Sequence, residues 1–222
     1  MFDTITTDIW STVGQILIIM LGGGLVLLLE HLRQTCLEWY RNRRLHALAR
    51  SVMANRRVHT LLVELRTKLN ADRAYIILFH NGQVFSNKNP VWRASCTQES
   101  CKAGISHQIE DQQNMLASSV WDCLAPLFDH QCSEGCTAIK DKDHPDHYIF
   151  KFDVNEMADS FTKCALISGG VKTTFETSVH DQKKEIVGLV AVNYCVEDVP
   201  DAKSITSALL EASSSIQYAL ET

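Results

Sequence analysis

The segment from residue 9 to residue 29 carries no charged side chain and has the sequence IWSTVGQILIIMLGGGLVLLL. A hydrocarbon core about 30 Å thick requires roughly 20 apolar residues at the rise of an α-helix, and this segment supplies them. A cleaved secretory signal would begin with basic residues, whereas Asp3 and Asp8 precede this run and Glu30 follows it. The segment therefore predicts one transmembrane helix over residues 9–29.

The charges that flank this segment predict its orientation in the membrane. No lysine or arginine precedes it, and four arginines follow it closely, namely Arg33, Arg41, Arg43 and Arg44. Because basic flanks remain on the cytoplasmic side, we expect residues 1–8 outside and the remaining chain in the cytoplasm, with the lipid bilayer as a partner. The eight cysteines would then lie in a reducing compartment, which favours free thiols or metal ligands over disulfides.

Residues 30–70 contain neither proline nor glycine and predict a long helix. Apolar side chains recur near a helical period, among them Leu45, Leu48, Leu62, Leu65 and Leu69. Basic residues interrupt this stripe and argue against a continuous coiled coil. The segment is nevertheless consistent with a two-chain helical stalk that runs into the first helix of a domain. The expected assembly is a homodimer.

Residues 71–222 alternate between short apolar runs and amphipathic segments, and they predict one cytoplasmic α+β domain. Strands are expected at 73–79, 91–97, 148–152, 172–179 and 186–195, where the sequence is continuously apolar or alternates. Helices are expected at 105–127, with polar breaks, at 157–166 and at 201–220. This order of elements implies an antiparallel sheet flanked by helices.

The two ends of this domain resemble a GAF domain. ADRAYIILFHNG at residues 71–82 follows a leading helix, and KKEIVGLVAVNYCVEDVPDAKSITSALLEASSSIQYALE at residues 183–221 combines a charged turn, an apolar strand, an acidic loop and a last helix. The resemblance implies a GAF/PAS-like fold with a ligand pocket on the sheet face. The pocket candidates that it implies are Phe79, His80, Asn81, Trp92, Thr97, Glu99 and Trp121. Core packing is the alternative role of the aromatic residues.

A cysteine- and histidine-rich segment is a second candidate site. It contains Cys123, His130, Cys132, Cys136, His144 and His147. Thiolates and imidazoles are the usual ligands of structural zinc, so four of these side chains could order the segment around one zinc ion. The spacing matches no zinc finger, ribbon or deaminase pattern, and the alternative is that these are loop residues without a metal.

The sequence contains no motif that indicates catalysis. It lacks a phosphate-binding glycine loop. Some histidines lie near an acidic residue, but no other residues of a known catalytic motif accompany them. Nothing in it indicates nucleic-acid binding. We therefore expect a non-catalytic, membrane-anchored sensor or interaction module that signals through dimer or protein-partner contacts. One alternative is a structural or assembly protein, for example phage-encoded, that uses the domain as a docking scaffold. Another is a metal-dependent enzyme that uses the cysteine–histidine segment.

Overall fold

The computed structural model describes residues 2–84, 90–140, 147–196 and 199–221, without the side chains of residues 2–23, 81–84 and 90. The chain divides into two compact units, Met1–Ser51 and Val52–Thr222. The structure describes no side chains for residues 9–23, which make up most of the predicted membrane span. Among the residues that could be searched, no helix is both long and apolar enough to cross a bilayer.

The described residues form four α-helices, which are α1 Phe2–Lys68, α2 Trp121–Asp129, α3 Phe161–Ser168 and α4 Ala202–Glu221. The helix predicted over residues 30–70 is observed within α1, but its role in a two-chain stalk stays a prediction. The helix predicted at 157–166 begins four residues later, at Phe161. Ser160 explains this start, because its side chain accepts a hydrogen bond from the backbone N–H of Lys163 and so caps α3.

Within the described part of the chain, the strands form one antiparallel sheet of seven. They are β1 Arg73–Val84, β2 Pro90–Cys101, β3 Met115–Leu116, β4 Cys136–Lys140, β5 Tyr148–Asp153, β6 Thr173–His180 and β7 Ile186–Tyr194. Their spatial order is β3-β2-β1-β7-β6-β5-β4. The central position of β7 explains its nearly continuous apolar sequence, since both of its faces are covered. The predicted α+β fold with an antiparallel sheet is confirmed.

One face of the sheet packs against α4 and against the part of α1 that belongs to the second unit. Apolar side chains on both helices recur every three or four residues and so form one stripe on each helix. The resulting core includes Val58, Leu62, Leu65, Ile76, Val190, Val192, Ile205, Leu209 and Ile216, all of which are nearly inaccessible to solvent. These two helices are therefore bound to the sheet by burial of apolar surface.

The opposite face carries a second core and is covered by α2 and α3. This core includes Tyr75, Cys96, Cys123, Leu124, Leu127, Phe150, Phe152, Leu166 and Leu189. A sheet with both faces buried forms the middle of three layers, with helices on either side.

The helix predicted over residues 105–127 is wrong for most of its length. Residues 115–116 form the edge strand β3, residues 117–119 form a single 3₁₀ turn, and α2 begins only at Trp121. The buried carboxylate of Glu99 accepts the backbone N–H groups of Gln108 and Ile109. A side chain of β2 thus binds amide groups near the start of this segment. The apolar periodicity of residues 105–127 alone could not predict this contact.

Two local features fix how β1 pairs with its neighbours. Thr97 is the extra residue of a β-bulge in β2, because Gln98 pairs with Ile76 whereas Cys96 pairs with Ile77. On the other side of β1, a Cβ atom at Gly188 of β7 would lie 2.2 Å from the carbonyl oxygen of Ile77. Only glycine permits this close approach of the two strands.

Candidate ligand-binding site

Strand pairing gathers polar side chains on the sheet face that α2 and α3 cover. Tyr75 pairs with Ala191, and Ala191 pairs with Glu176, so their side chains point to the same face. Thr174 and Asn193 form the next such pair. Asn193 is fully buried, and neither of its side-chain polar atoms has a hydrogen-bond partner among the described residues. A row of polar groups therefore crosses the sheet inside the second core.

A cavity of about 50 Å³ lies between this polar row and the two helices. Tyr75, Glu176 and Leu189 line it from the sheet, while Cys123 lines it from α2 and Ala165 from α3. By this measure a cavity needs roughly 10–15 Å³ to hold one water molecule. The cavity can therefore admit a chemical group of several atoms.

Glu176 is the one carboxylic acid among the described residues that line this cavity. It is 2 % exposed, and its Oε1 atom accepts no hydrogen bond from any described residue. Burial raises the pKa of Glu176 well above its ordinary value, and the nearby charge of Asp122 adds to the effect. This environment favours the neutral, protonated form of the carboxyl group.

The pKa values of neighbouring acidic groups are raised as well. Burial is the largest cause of the raised pKa values of Tyr75 and Cys123, and the charge of Glu176 adds to both. Burial also raises the pKa of Cys136, where the neighbouring Cys132 thiol and Glu176 contribute further. Each of these groups therefore resists carrying a negative charge in the absence of a nearby cation.

Asp122 joins the two helices that cover the cavity. This residue of α2 is 6 % exposed, and its carboxylate accepts hydrogen bonds from the hydroxyls of Ser160, at 2.5 Å, and Thr162. Ser160 caps α3 and Thr162 lies in its first turn. One buried carboxylate thereby positions α2 and α3 relative to each other.

An open apolar cleft of about 400 Å³ lies next to the cavity and shares Leu124 with it. Phe79, Trp92 and Phe128 line this cleft together with Ala117 and Ile186. The rings of Phe79 and Phe128 stack, with their centroids 6.2 Å apart. Trp92 is 51 % and Phe128 is 58 % exposed. Exposed aromatic rings around a concave surface are typical of small-molecule sites.

The structure brings only some of the predicted pocket residues together. Phe79 and Trp92 line the cleft. His80 instead contacts Ser95, with 2.9 Å between Nε2 and Oγ. The side chain of Asn81 lies outside the described residues.

The other three pocket candidates line neither the cavity nor the cleft as described. Thr97 is exposed at the bulge of β2, and Trp121 is 58 % exposed at the start of α2. Glu99 is buried in an ion pair, in which its Oε1 atom lies 2.7 Å from Nε of Arg73. Their roles in ligand binding stay predictions, while the observed contacts of Glu99 are structural.

The cysteines predicted to bind zinc occupy two different environments. Cys132 and Cys136 place their Sγ atoms 2.7 Å apart in the segment that leads into β4. Cys123 is buried in the second core on α2. The first two thiols are therefore neighbours, and the third is enclosed by apolar side chains.

The histidines predicted as zinc ligands make ring contacts or lie beyond the described chain. His130 stacks on Tyr148, with centroids 4.2 Å apart, and His147 meets His180 edge-on at 6.2 Å. His144 lies outside the described residues. Zinc binding by this segment stays a prediction.

A different group of metal-ligating side chains converges in the described part of the chain. The ligand atoms of Glu99, Cys101 and His107 all lie within 4.8 Å of one another. Burial raises the pKa of Cys101 to about 11, and the charge of Glu99 adds to this shift. Metal binding would therefore have to displace a thiol proton. The donor set of one carboxylate, one thiolate and one imidazole suits zinc.

The domain has a GAF-like fold, as the sequence resemblance predicted, because similar solved structures are GAF domains of photoreceptors. One is the phycoerythrobilin-bound GAF domain of a cyanobacterial phytochrome, with a TM-score of 0.52, 18% identity, and coverage of 80% of this chain and 90% of that chain. Another is the PixJ GAF domain of Thermosynechococcus elongatus in its blue-light-absorbing form, with a TM-score of 0.51, 14% identity, and coverage of 78% and 89%. No family model and no curated protein matches the sequence. At these identities the similarity establishes the fold alone.

Proposed function

We propose that this chain is a membrane-anchored GAF-like sensor module without catalytic activity, which binds a small molecule and signals through dimer or partner contacts. The observation that carries the proposal is the buried, partly unpartnered carboxyl group of Glu176 in a cavity of a GAF-like domain. Concave sites with apolar walls and a few convergent polar groups commonly bind small molecules. The bilin-bound state of a structural neighbour supports the use of this fold for such binding.

The proposal assigns no catalytic role to the serine–histidine contact of the sheet. Ser95, which lies next to His80, is only 7 % exposed. Its Oγ atom also accepts a hydrogen bond from the backbone N–H of Asn114. A nucleophilic serine must reach a substrate, whereas this hydroxyl connects β2 to the segment that precedes β3.

Membrane anchoring is supported by the uncharged run at residues 9–29 and by the side chains at its end. Leu25, Val26, Leu27, Leu28 and Leu29 are between 55 % and 74 % exposed. Apolar side chains clustered at this exposure are unfavourable in water and suit a hydrocarbon environment. The arginines that follow favour a cytoplasmic domain.

In this proposal the signal passes through a dimer contact formed by α4 and by the part of α1 in the second unit. A groove of about 730 Å³ lies between the two helices, with Met53 on one side and Tyr218 on the other. These two side chains are 57 % and 67 % exposed. A second copy of the chain would cover this groove in a two-fold dimer. A ligand that favours one packing of the helices would then shift the dimer between two states.

The experiment that tests ligand binding uses the full chain in mild detergent and native mass spectrometry. A variant with a larger side chain in the cavity, Ala165→Phe, is compared with Cys164→Phe, which enlarges the neighbouring exposed residue. We expect the wild-type chain and Cys164→Phe to retain a small molecule at near-equal stoichiometry and Ala165→Phe to lose it. Equal retention by both variants, or no retained molecule after incubation with a cell extract, would contradict the proposal.

A further inference from the structure

The cavity that contains Glu176 is acidic and has no cationic counterpart among its described lining residues. Its polar side chains are those of Tyr75, Cys123, Thr162, Thr174, Glu176 and Gln112, and no lysine, arginine or histidine lines it. The buried guanidinium of Arg73 is paired with Glu99. A buried carboxyl oxygen without a partner is costly, so a ligand that donates a hydrogen bond there is favoured.

We infer that this cavity binds an ammonium or amidinium head group, with Glu176 as its counter-ion. The inference rests on the proposed function and specifies its ligand class. Three observations support it: the carboxyl group is 2 % exposed, its Oε1 atom has no described partner, and the cavity of about 50 Å³ has room for a group of a few non-hydrogen atoms. Charge-assisted hydrogen bonds to a buried carboxylate are about twice as strong as neutral ones.

The neighbours of Glu176 favour a cation over a neutral donor. Tyr75 approaches from β1, Asp122 and Cys123 from α2, and Cys136 from β4, and none of these side chains can carry a positive charge. Asp122 is bonded to the hydroxyls of α3. A positive head group would therefore interact favourably with every ionisable group that faces Glu176.

Binding of a cation is coupled to the release of a proton. Glu176 is held in its protonated form by burial, so a cation that pairs with it displaces the carboxyl proton to solvent. The ligand contributes no electrons and forms no covalent bond. The apparent affinity should therefore rise with pH, by up to about tenfold per pH unit, until Glu176 ionises without the ligand.

The test uses two small probes of the same shape, acetamidinium chloride and neutral acetamide, on the full chain in detergent. Binding is measured from the dependence of the thermal unfolding midpoint on probe concentration, with sodium chloride added to equalise ionic strength. The variants are Glu176→Gln, an isostere of the protonated residue, and Glu185→Gln, which changes an exposed residue of the β6–β7 turn.

In the wild-type chain and in Glu185→Gln we expect acetamidinium to bind at least about tenfold more tightly than acetamide. This preference should increase with pH and disappear in Glu176→Gln. Equal binding of the two probes by the wild-type chain, or the same preference in Glu176→Gln, would overturn the inference.

The two proposals fail in distinguishable ways. A neutral molecule that is retained by the wild-type chain and lost from Ala165→Phe, without any preference for acetamidinium, leaves the sensor proposal intact and overturns the cationic ligand class. No retained molecule and no probe binding overturns both.

Discussion

Glu176 connects one side chain to the pH dependence of the whole fold. Its carboxyl group has an ordinary pKa of 4.5, and the folded environment raises this pKa well above that value. Between the two pKa values the folded state binds a proton that the unfolded chain releases. The contribution of Glu176 to the free energy of unfolding therefore falls as pH rises above about 4.5, by at most roughly 1.4 kcal/mol per pH unit.

The substitution Glu176→Gln should remove this contribution. We expect the variant to gain stability relative to the wild-type chain as pH increases from about 5 towards the pKa of folded Glu176, at up to roughly 1.4 kcal/mol per pH unit. Urea unfolding followed by circular dichroism at several pH values measures the difference. The variant Glu185→Gln should follow the wild-type curve, and parallel curves for Glu176→Gln would contradict the assignment.

Substitution of cysteines can distinguish the two candidate zinc sites. After incubation with zinc and removal of excess metal, we expect about one bound equivalent, because three suitable ligand atoms converge at Glu99, Cys101 and His107. Cys101→Ser should lose it. Elemental analysis of Cys164→Ser, an exposed thiol, provides the control.

The double variant Cys132→Ser/Cys136→Ser separates this site from the one predicted from sequence. Retention of zinc by the double variant agrees with binding at Cys101. Loss of zinc only in the double variant would place the metal at the cysteine–histidine segment instead.

Glu176 could not be identified as a cavity residue from the sequence, because the alternating pattern of its strand is also produced by a face exposed to water. In residues 173–180, TTFETSVH, Phe175 alternates with polar residues, and such alternation is typical of a strand with one face in water. Thr174 and Glu176 in fact point towards α2 and α3. Only the packing of distant helices reveals that this polar face is buried.

At the level of secondary structure elements, α1 is bound to the sheet by a few large apolar side chains. Leu62 is fully buried, whereas its neighbour Val63 is 36 % exposed. We expect Leu62→Ala to reduce the free energy of unfolding of the domain by about 2–5 kcal/mol, from lost burial and the cavity that remains. Val63→Ala should cost less than about 1 kcal/mol.

Chemical denaturation of the two variants measures this difference. Similar losses for both would mean that α1 does not pack on the sheet through the face described.

The elements that could be predicted are those whose own sequence determines their environment. β7 and β5 are strongly apolar or alternating, and α4 has one apolar stripe, so each was located to within a few residues. β4 was missed because Cys136 and the polar residues around it suggested a metal-binding loop. Its pairing with β5 joins residues on opposite sides of the Cys–His segment, from Cys136↔Phe152 to Lys140↔Tyr148. Local propensity does not encode such pairing.

At the scale of the whole molecule, residues 1–29 should determine where the protein resides. We expect the full chain to sediment with membranes and to resist extraction by high salt, because a transmembrane helix is held by burial of apolar side chains in hydrocarbon. A chain that lacks residues 1–29 should appear in the soluble fraction. Fractionation of both chains and detection by antibody measure this.

Two results would contradict this prediction. One is a full chain that is released by salt alone, and the other is a shortened chain that still sediments with membranes at the same yield. Accessibility of Cys164 to a membrane-impermeant maleimide in intact cells reports the orientation, and labelling without permeabilisation would place the domain outside.

Thr97 has a consequence that reaches beyond its own exposed side chain. Before it, even-numbered residues of β2 face the cavity side of the sheet, as Cys96 does opposite Ile77; after it, odd-numbered residues do, as Glu99 does opposite Tyr75. If Thr97 instead occupied a regular ladder position, Gln98 and Ser100 would point inward and Glu99 would turn to the far side, away from Arg73. The bulge thus allows a strand with one surplus residue to keep a buried guanidinium neutralised in the protein interior.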